Sequence, residues 1–386
     1  MRLYRRTSKT APWVQLGPDI QGEAAGDASG RSIALSADGS IVAIGAAHND
    51  AGNGFTDDRG HVRVYEYDAA SNNWVQLGSD IDGQASGDRF GTSVSLSGDG
   101  STLAVGAEHA GYVKVYGYAS SSWTVELEAV GEINGDRFGR SVALSDNGLS
   151  LAIGAPHNDA GIIDHGIDDD RGHVVVYRRI SNTAPWAQLG SDIDGESSGD
   201  WFGWSVALSA EGLILAVGAI HAVGSGHVRV YEYDANINGW AQMGSDIDGE
   251  ASGDASGFSV ALSDDGLTLA VGAPHNDAGN GIEDSGHVRV YGFDATNGAS
   301  WEQLGADIDG EAANDASGWA LALSGDGLTL AVGAPYNDGA NGVDSGHVRV
   351  YGFEVRQTVV LVLASSSHPL PNSLVLIHLF PKGAYE

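Results

Sequence analysis

The chain has 386 residues, 51 acidic side chains against 19 basic ones, and a formal charge of −32. Such a polyanion repels nucleic acid and favours cations or basic partners. With 42% hydrophobic residues the acidity belongs to a chain that can bury a core and not to a disordered acidic tail. The absence of cysteine excludes disulfides, thiol catalysis and thiolate metal sites together.

The first segment, "MRLYRRTSKTAPW", is basic but lacks the apolar run of a secretory signal. "LYRRTSKTAPWVQLG" from Leu3 nearly copies "VYRRISNTAPWAQLG" from Val176, so residues 1–12 read as the end of a repeat. Trp13, Trp74, Trp123, Trp186, Trp240 and Trp301 then open six copies, separated by 61, 49, 63, 54 and 61 residues. Most of the length variation falls in one loop, long in "HNDAGNGFTDDRG" from His48 and short in "EHAG" from Glu108, as expected of a surface loop on a fixed scaffold.

Each copy carries four short apolar runs. In the fifth these are "FSVALS" from Phe258, "LTLAVGA" from Leu267, "HVRVYGF" from His287 and "WEQLG" from Trp301. Asp-Gly or a close relative joins the first two runs, at Asp38-Gly39, Asp99-Gly100, Asn147-Gly148, Glu211-Gly212 and Asp326-Gly327. These joins predict type I′ hairpins with positive φ at both central residues. No helical periodicity interrupts the pattern.

Four antiparallel strands per unit and six units predict an all-β fold, a β-propeller of six four-stranded blades spanning residues 13–354. Small Ser and Ala residues place the first run at the axis and the Trp run outermost. Trp13 to Gly17 is then expected to complete the last blade and close the ring; seven blades in a longer parent stay open. Residues 355–386 share nothing with the repeats. They are expected to be disordered, an added strand or a gene-model artefact, and their two apolar runs, split by "SSSHPLPNS", predict no membrane insertion.

Phe90-Gly91, Phe138-Gly139 and Phe202-Gly203, with Gly154-Ala155-Pro156, Gly272-Ala273-Pro274 and Gly333-Ala334-Pro335, resemble the FG-GAP repeat of integrin α-subunit heads. Copies one, five and six depart from it, with Ser-Gly in place of Phe-Gly. The resemblance implies a propeller used in extracellular or cell-surface adhesion and recognition. Many members of that family hold calcium in a loop between the first two strands of a blade. Here that place is only "SDDGLT" from Ser263, too short to wrap six or more oxygens around the ion.

A second calcium candidate is the opening motif: Asp192, Asp194, Glu196 and Asp200, with Asp246, Asp248, Glu250 and Asp254 in the next copy. Carboxylates at alternate positions beside glycine suit calcium; the plainer reading is that Asp and Gly turn the chain between blades. Calcium is the one cofactor candidate, and none is required. The histidines that open "GHVRVY" (His61, His173, His227, His287 and His347) read as strand-start packing, and the opening tryptophans as blade packing. The best departures from the repeat are "DHGIDDDRG" from Asp164 and the pair Trp201 and Trp204; neither shows a nucleophile with its base.

Strand direction puts both acidic loops of every copy on one face. The resulting expectation is a monomeric, non-catalytic, extracellular or cell-surface adhesion module. It would bind a protein or glycan, including a basic partner, through an acidic loop face. A glycan-active enzyme and a structural spacer are the alternatives. An enzyme would gather unique polar residues at one channel mouth, whereas a spacer would show no preferred face.

Overall fold

The structure, a computed structural model, describes residues 1–8, 11–50, 57–133, 135–159, 169–277, 282–296, 298–338 and 342–353. Among the described residues strands dominate, with one 3-10 turn at Ala222–Gly224. The expected all-β, six-bladed propeller is what forms. The innermost strands are Ser32–Leu35, Ser93–Leu96, Ser141–Leu144, Phe202–Leu208, Ser259–Leu262 and Ala320–Leu323, and each is followed outward by its antiparallel neighbours in chain order. Blades 1 to 5 have four strands, and blade 6 is described through its third, His347–Gly352. Buried Val, Leu, Ile and Ala from facing blades interdigitate in successive clusters, such as Val174, Val176 and Ile193 against Leu215 and Val217.

The hairpins between the first two strands differ from the type I′ expectation. Gly39 N–H donates to Ser36 O at 2.9 Å, and the glycine sits at φ 69° while Asp38 keeps negative φ. This is a type I turn followed by a left-handed glycine. The Asp38 carboxylate stabilises it locally by accepting from Ser36 Oγ and Ser40 N–H, both at 2.8 Å. Asp99, Asn147, Asp265 and Asp326 repeat the device.

The repeat's two glycine motifs meet at the seams between blades. Gly91 N–H bonds Gly106 O within blade 2, while Gly91 O accepts the Ser32 hydroxyl of blade 1 at 2.6 Å. Ser93, Ser141, Ser205 and Ser259 make the same bond to Gly139, Gly203, Gly257 and Gly318, at 2.7–2.8 Å. A Cβ on Gly45, Gly106, Gly154, Gly218 or Gly272 would collide with that same carbonyl oxygen. The outer strands add a second link, as Trp74, Trp123, Trp240 and Trp301 each donate Nε1–H to a carbonyl of the preceding outer strand, at 2.8–3.0 Å. Blade packing is thus the role of these four opening tryptophans, whereas Trp13 is 46% exposed and Trp186 Nε1 is buried without a partner.

The Trp13 strand does not complete blade 6. Val14–Gln15 pairs with Tyr4–Arg5 in the register that joins Ala187–Gln188 to Tyr177–Arg178 in blade 3. Because residues 3–6 copy the end of a third strand, the Trp13 strand already has its own partner in the chain. The pair packs Leu3, Leu16 and Ile20 against Val42, Ile44, Tyr65 and Trp74 of blade 1. In blade 6, Ala320 has no hydroxyl for a seam bond. On blade 1, Ile33 is 53% exposed, against 9% for its counterpart Val94.

Gly154→Ala tests the seam. It should lower the free energy of unfolding by about 2–4 kcal/mol, because a packed backbone must move. Gly239→Ala, whose added Cβ meets nothing closer than 3.7 Å, should stay within about 0.5 kcal/mol. Urea midpoints of the two variants provide the comparison, and equal midpoints would remove the steric account.

Candidate functional site

The residue that follows each seam glycine lines the axis, and the six blades supply four different side chains there: Arg31, Thr92, Arg140, Trp204, Phe258 and Trp319. The residue two before that glycine has φ 53–57° in all six blades (Ala28, Arg89, Arg137, Trp201, Ala255, Ala316). Arg and Trp bear a steric cost there. Its carbonyl accepts the axial residue's N–H at 2.9–3.2 Å, so a tight turn fixes the axial side chain at the channel mouth. The axial residues line a cavity of about 790 Å³ that also reaches Tyr336, Ile33 and Val348.

The ring has two unlike halves. Blades 1 to 3 contribute Arg31, Arg89, Arg137 and Arg140, and blades 4 to 6 an aromatic arc. Trp201 and Trp204 stack with centroids 5.6 Å apart, Trp204 meets Phe258 at 5.6 Å, Phe258 meets Trp319 at 4.5 Å, and Trp319 meets Tyr336 at 5.8 Å. Arg140 joins the halves: its guanidinium lies 4.1 Å from the Trp204 ring centroid and 3.4 Å from Glu108 Oε2. Burial draws the Arg140 pKa below its usual value; Glu108 opposes this, while Arg31 and Arg137 reinforce it. Glu108 Oε2 is buried and accepts no hydrogen bond.

A second ring follows the Gly-Ala pair of each second strand: His48, His109, His157, His221, His275 and Tyr336. Backbone bonds such as His157 N–H to Asp136 O, 3.1 Å, tie these loops to the blade-opening loops, so both emerge on one face as strand direction required. Trp201 lies between His157 and His221, at 4.7 and 4.2 Å between centroids. His157 Nδ1 is 2.8 Å from Asp170 Oδ1, and its Nε2 is buried without a partner. Of the departures singled out in the sequence, Trp201 and Trp204 belong to the site, whereas residues 164–168 lie outside the described ones. The arginines and this second histidine ring were missed. The available signal was a variable residue at one fixed position of an otherwise constant repeat.

The calcium candidates do not converge as a set. Asp200 and Asp254 are buried turn residues, accepting from Ser197 N–H and Ala251 N–H at 2.8 Å. Asp192 accepts from Gln188 at 2.6 Å, and Asp194 pairs in register with His173. Glu196 lies 2.6 Å from Arg229, which also forks onto Asp246 at 2.7 and 2.9 Å and holds its carboxyl below the usual range. Glu250 pairs with Arg289. Three groups do come together among the described residues, Glu23 with His61 and Asp80, His227 with Asp246 and Asp248, and Glu250 with His287 and Asp307, but an arginine already pairs with a carboxylate of each. Calcium added after chelator should therefore move the melting temperature by less than about 2 °C; a larger, calcium-selective rise in a thermal melt would make these loops sites.

The strand-start histidines are separate, one in each blade except the second, which has Tyr112. His61, His227 and His287 are buried, and that desolvation lowers their pKa values. The folded state thus prefers them neutral, and the stability this confers is complete above the unfolded pKa of about 6.5. It is lost as pH falls from there through the lower folded values. Urea midpoints should drop between pH 7.5 and 5.5, before ordinary carboxylates titrate, and His227→Gln should flatten the decline. An unchanged midpoint across that range would contradict the assignment.

The architecture and its seams define a repeat-built six-bladed β-propeller. The FG-GAP repeat family matches residues 307–351, and the same glycine seam recurs in the preceding blades of the propeller. No curated protein matches it in sequence. Among solved structures it is similar to a protein of Bacteroides uniformis assigned as a 6-phosphogluconolactonase, at 13% identity and a TM-score of 0.61, covering 92% of this chain and 88% of that one. It is also similar to the periplasmic gluconolactonase of Pseudomonas aeruginosa, at 17% identity and a TM-score of 0.60, covering 100% and 94%. At these identities the likeness is one of fold.

The expectation of a non-catalytic adhesion module, and of no enzymatic activity, is corrected by these neighbours, since both bear the names of lactonases. The acidic contact face is corrected with it. Loop carboxylates are bonded within the propeller, and the channel mouth carries arginines.

Proposed function

We propose that the chain is a carbohydrate-acting propeller enzyme that opens a sugar lactone at the channel mouth, outside the cytoplasm. The observation that carries this reading is the concentration of symmetry-breaking side chains at one mouth. A spacer has no reason to vary only there, whereas a site for an asymmetric substrate must. The half-exposed faces of Trp204, Phe258 and Trp319 suit the C–H face of a sugar ring. The fold is shared with two proteins named as lactonases, and one of them is periplasmic.

The lining also selects among carbohydrate reactions. Cleaving a glycoside ordinarily takes two carboxylic acids flanking the bond, and no carboxylate lines the cavity among the described residues. A lactone is already an activated acyl group. Water adds to its carbonyl carbon, the ring C–O bond breaks, and a hydroxy acid leaves. The main demand is stabilisation of the negative charge that develops on the carbonyl oxygen, which Arg140 and Arg31 can meet.

Proton release from glucono-δ-lactone, followed in a pH-stat against the spontaneous rate, tests the reading, with p-nitrophenyl glycosides as the competing substrates. The lactone should be opened faster than its background and the glycosides left intact. Arg140→Gln should lower kcat by about a hundredfold, the scale of losing one donor to a developing oxyanion. Lactone opening at no more than the spontaneous rate would end the proposal.

A further inference from the structure

Arg31 and Arg140 line the channel mouth of a protein with a formal charge of −32, and Arg137 sits on the turn just before Arg140. Arg2, Arg59, Arg63, Arg171, Arg179, Arg229, Arg289 and Arg349 each lie within 4 Å of a carboxylate, whereas the surface residues Arg5, Arg6, Arg89 and Arg178 make no such pair among the described residues. Arg31 and Arg137 make no such pair among the described residues, although both are close enough to Arg140 to disfavour its charge. Among the described residues Glu108, 3.4 Å from Arg140, is the one carboxylate within 4 Å of these cations. Mutual repulsion in a half-buried site is a cost, and an anionic ligand would remove it.

Resting on the lactone reading, we infer that the site selects anionic sugars. A carboxylate or phosphate is held by Arg31, Arg137 and Arg140, and the sugar ring lies against Trp204, Phe258 and Trp319. Both halves are needed for this. Cations alone would take any anion, and aromatic faces alone would take a neutral sugar as readily. Arg140 is the junction, because its guanidinium plane is fixed between Glu108 and the Trp204 face. Its remaining donors can meet an oxyanion in forked geometry.

Isothermal titration calorimetry on the full chain at matched ionic strength tests this with D-gluconate, D-glucose 6-phosphate, D-glucose and inorganic phosphate. At least one sugar anion should bind at least tenfold more tightly than glucose and than inorganic phosphate, and the tighter of the two identifies carboxylate or phosphate as the preferred group. Arg31→Gln and Arg140→Gln should each cut the preference for the anion about tenfold, the scale of one charge-assisted contact. Arg31 is exposed, so its variant reports on binding even if Arg140→Gln folds poorly.

Glucose binding as tightly as either anion, phosphate alone matching them, no binding by any of the four, or a preference that survives both substitutions would overturn the inference. The lactone reading fails separately. Tight gluconate binding without lactone opening sinks that reading alone, and lactone opening without an anion preference sinks this one alone.

Discussion

The fold depends on one close approach, the backbone of one blade pressed onto the next at paired glycines. At each of five seams the glycine carbonyl accepts the serine hydroxyl of the preceding blade, and it lies where a Cβ on that blade's Gly-Ala glycine would have to go. The two halves of the repeat motif are therefore the two sides of one contact. Glycine is required by the space, serine by the need to satisfy a carbonyl removed from water. Everything outward of the seam tolerates change: Phe90, Phe138 and Phe202 fill their pockets completely, yet other blades place serine there.

The acidity has a comparable structural explanation. Asp38 and its equivalents brace hairpins, and Asp27, Asp136, Asp254 and Asp315 each accept from an asparagine of the neighbouring loop at 2.9–3.1 Å. Glu196 and Glu250 reach across a seam to an arginine of the next blade. Much of the charge is therefore a by-product of carboxylate-based turns multiplied by six copies. Against it the arginine-rich mouth stands out, because no repeated device calls for cations there.

The architecture was legible in the sequence because each of its causes is local and repeated: the tryptophan spacing, the Asp-Gly joins and the alternating apolar runs each appear several times. The Trp13 strand was misplaced because its pairing depends on residues 3–6, whose likeness to the end of a third strand was visible but was not carried into the strand order. The hairpin type was missed because Ser36 and Asp38 settle the turn through side-chain bonds that dipeptide preference does not contain. The site was hard to see for the opposite reason. Arg31, Arg140 and Trp319 are each unremarkable in their own copy, and only the ring brings residues more than a hundred positions apart to one mouth.

That arrangement suggests how such a scaffold acquires an active site. Five seams, each held by glycine packing and a buried hydroxyl, fix the backbone at the axial position so firmly that its side chain is free to vary. The preceding left-handed residue shows the margin available. Trp201, Arg89 and Arg137 hold φ of 54–57°, where glycine would be relaxed and a large side chain costs free energy. A turn that tolerates those residues in three blades is over-determined by its surroundings. The same rigidity would serve the proposed catalysis, because cations and aromatic faces held on five separate blades need little reorganisation as charge develops. The repeat thus supplies six equivalent positions at one mouth, and the function lies in the ways they have ceased to be equivalent.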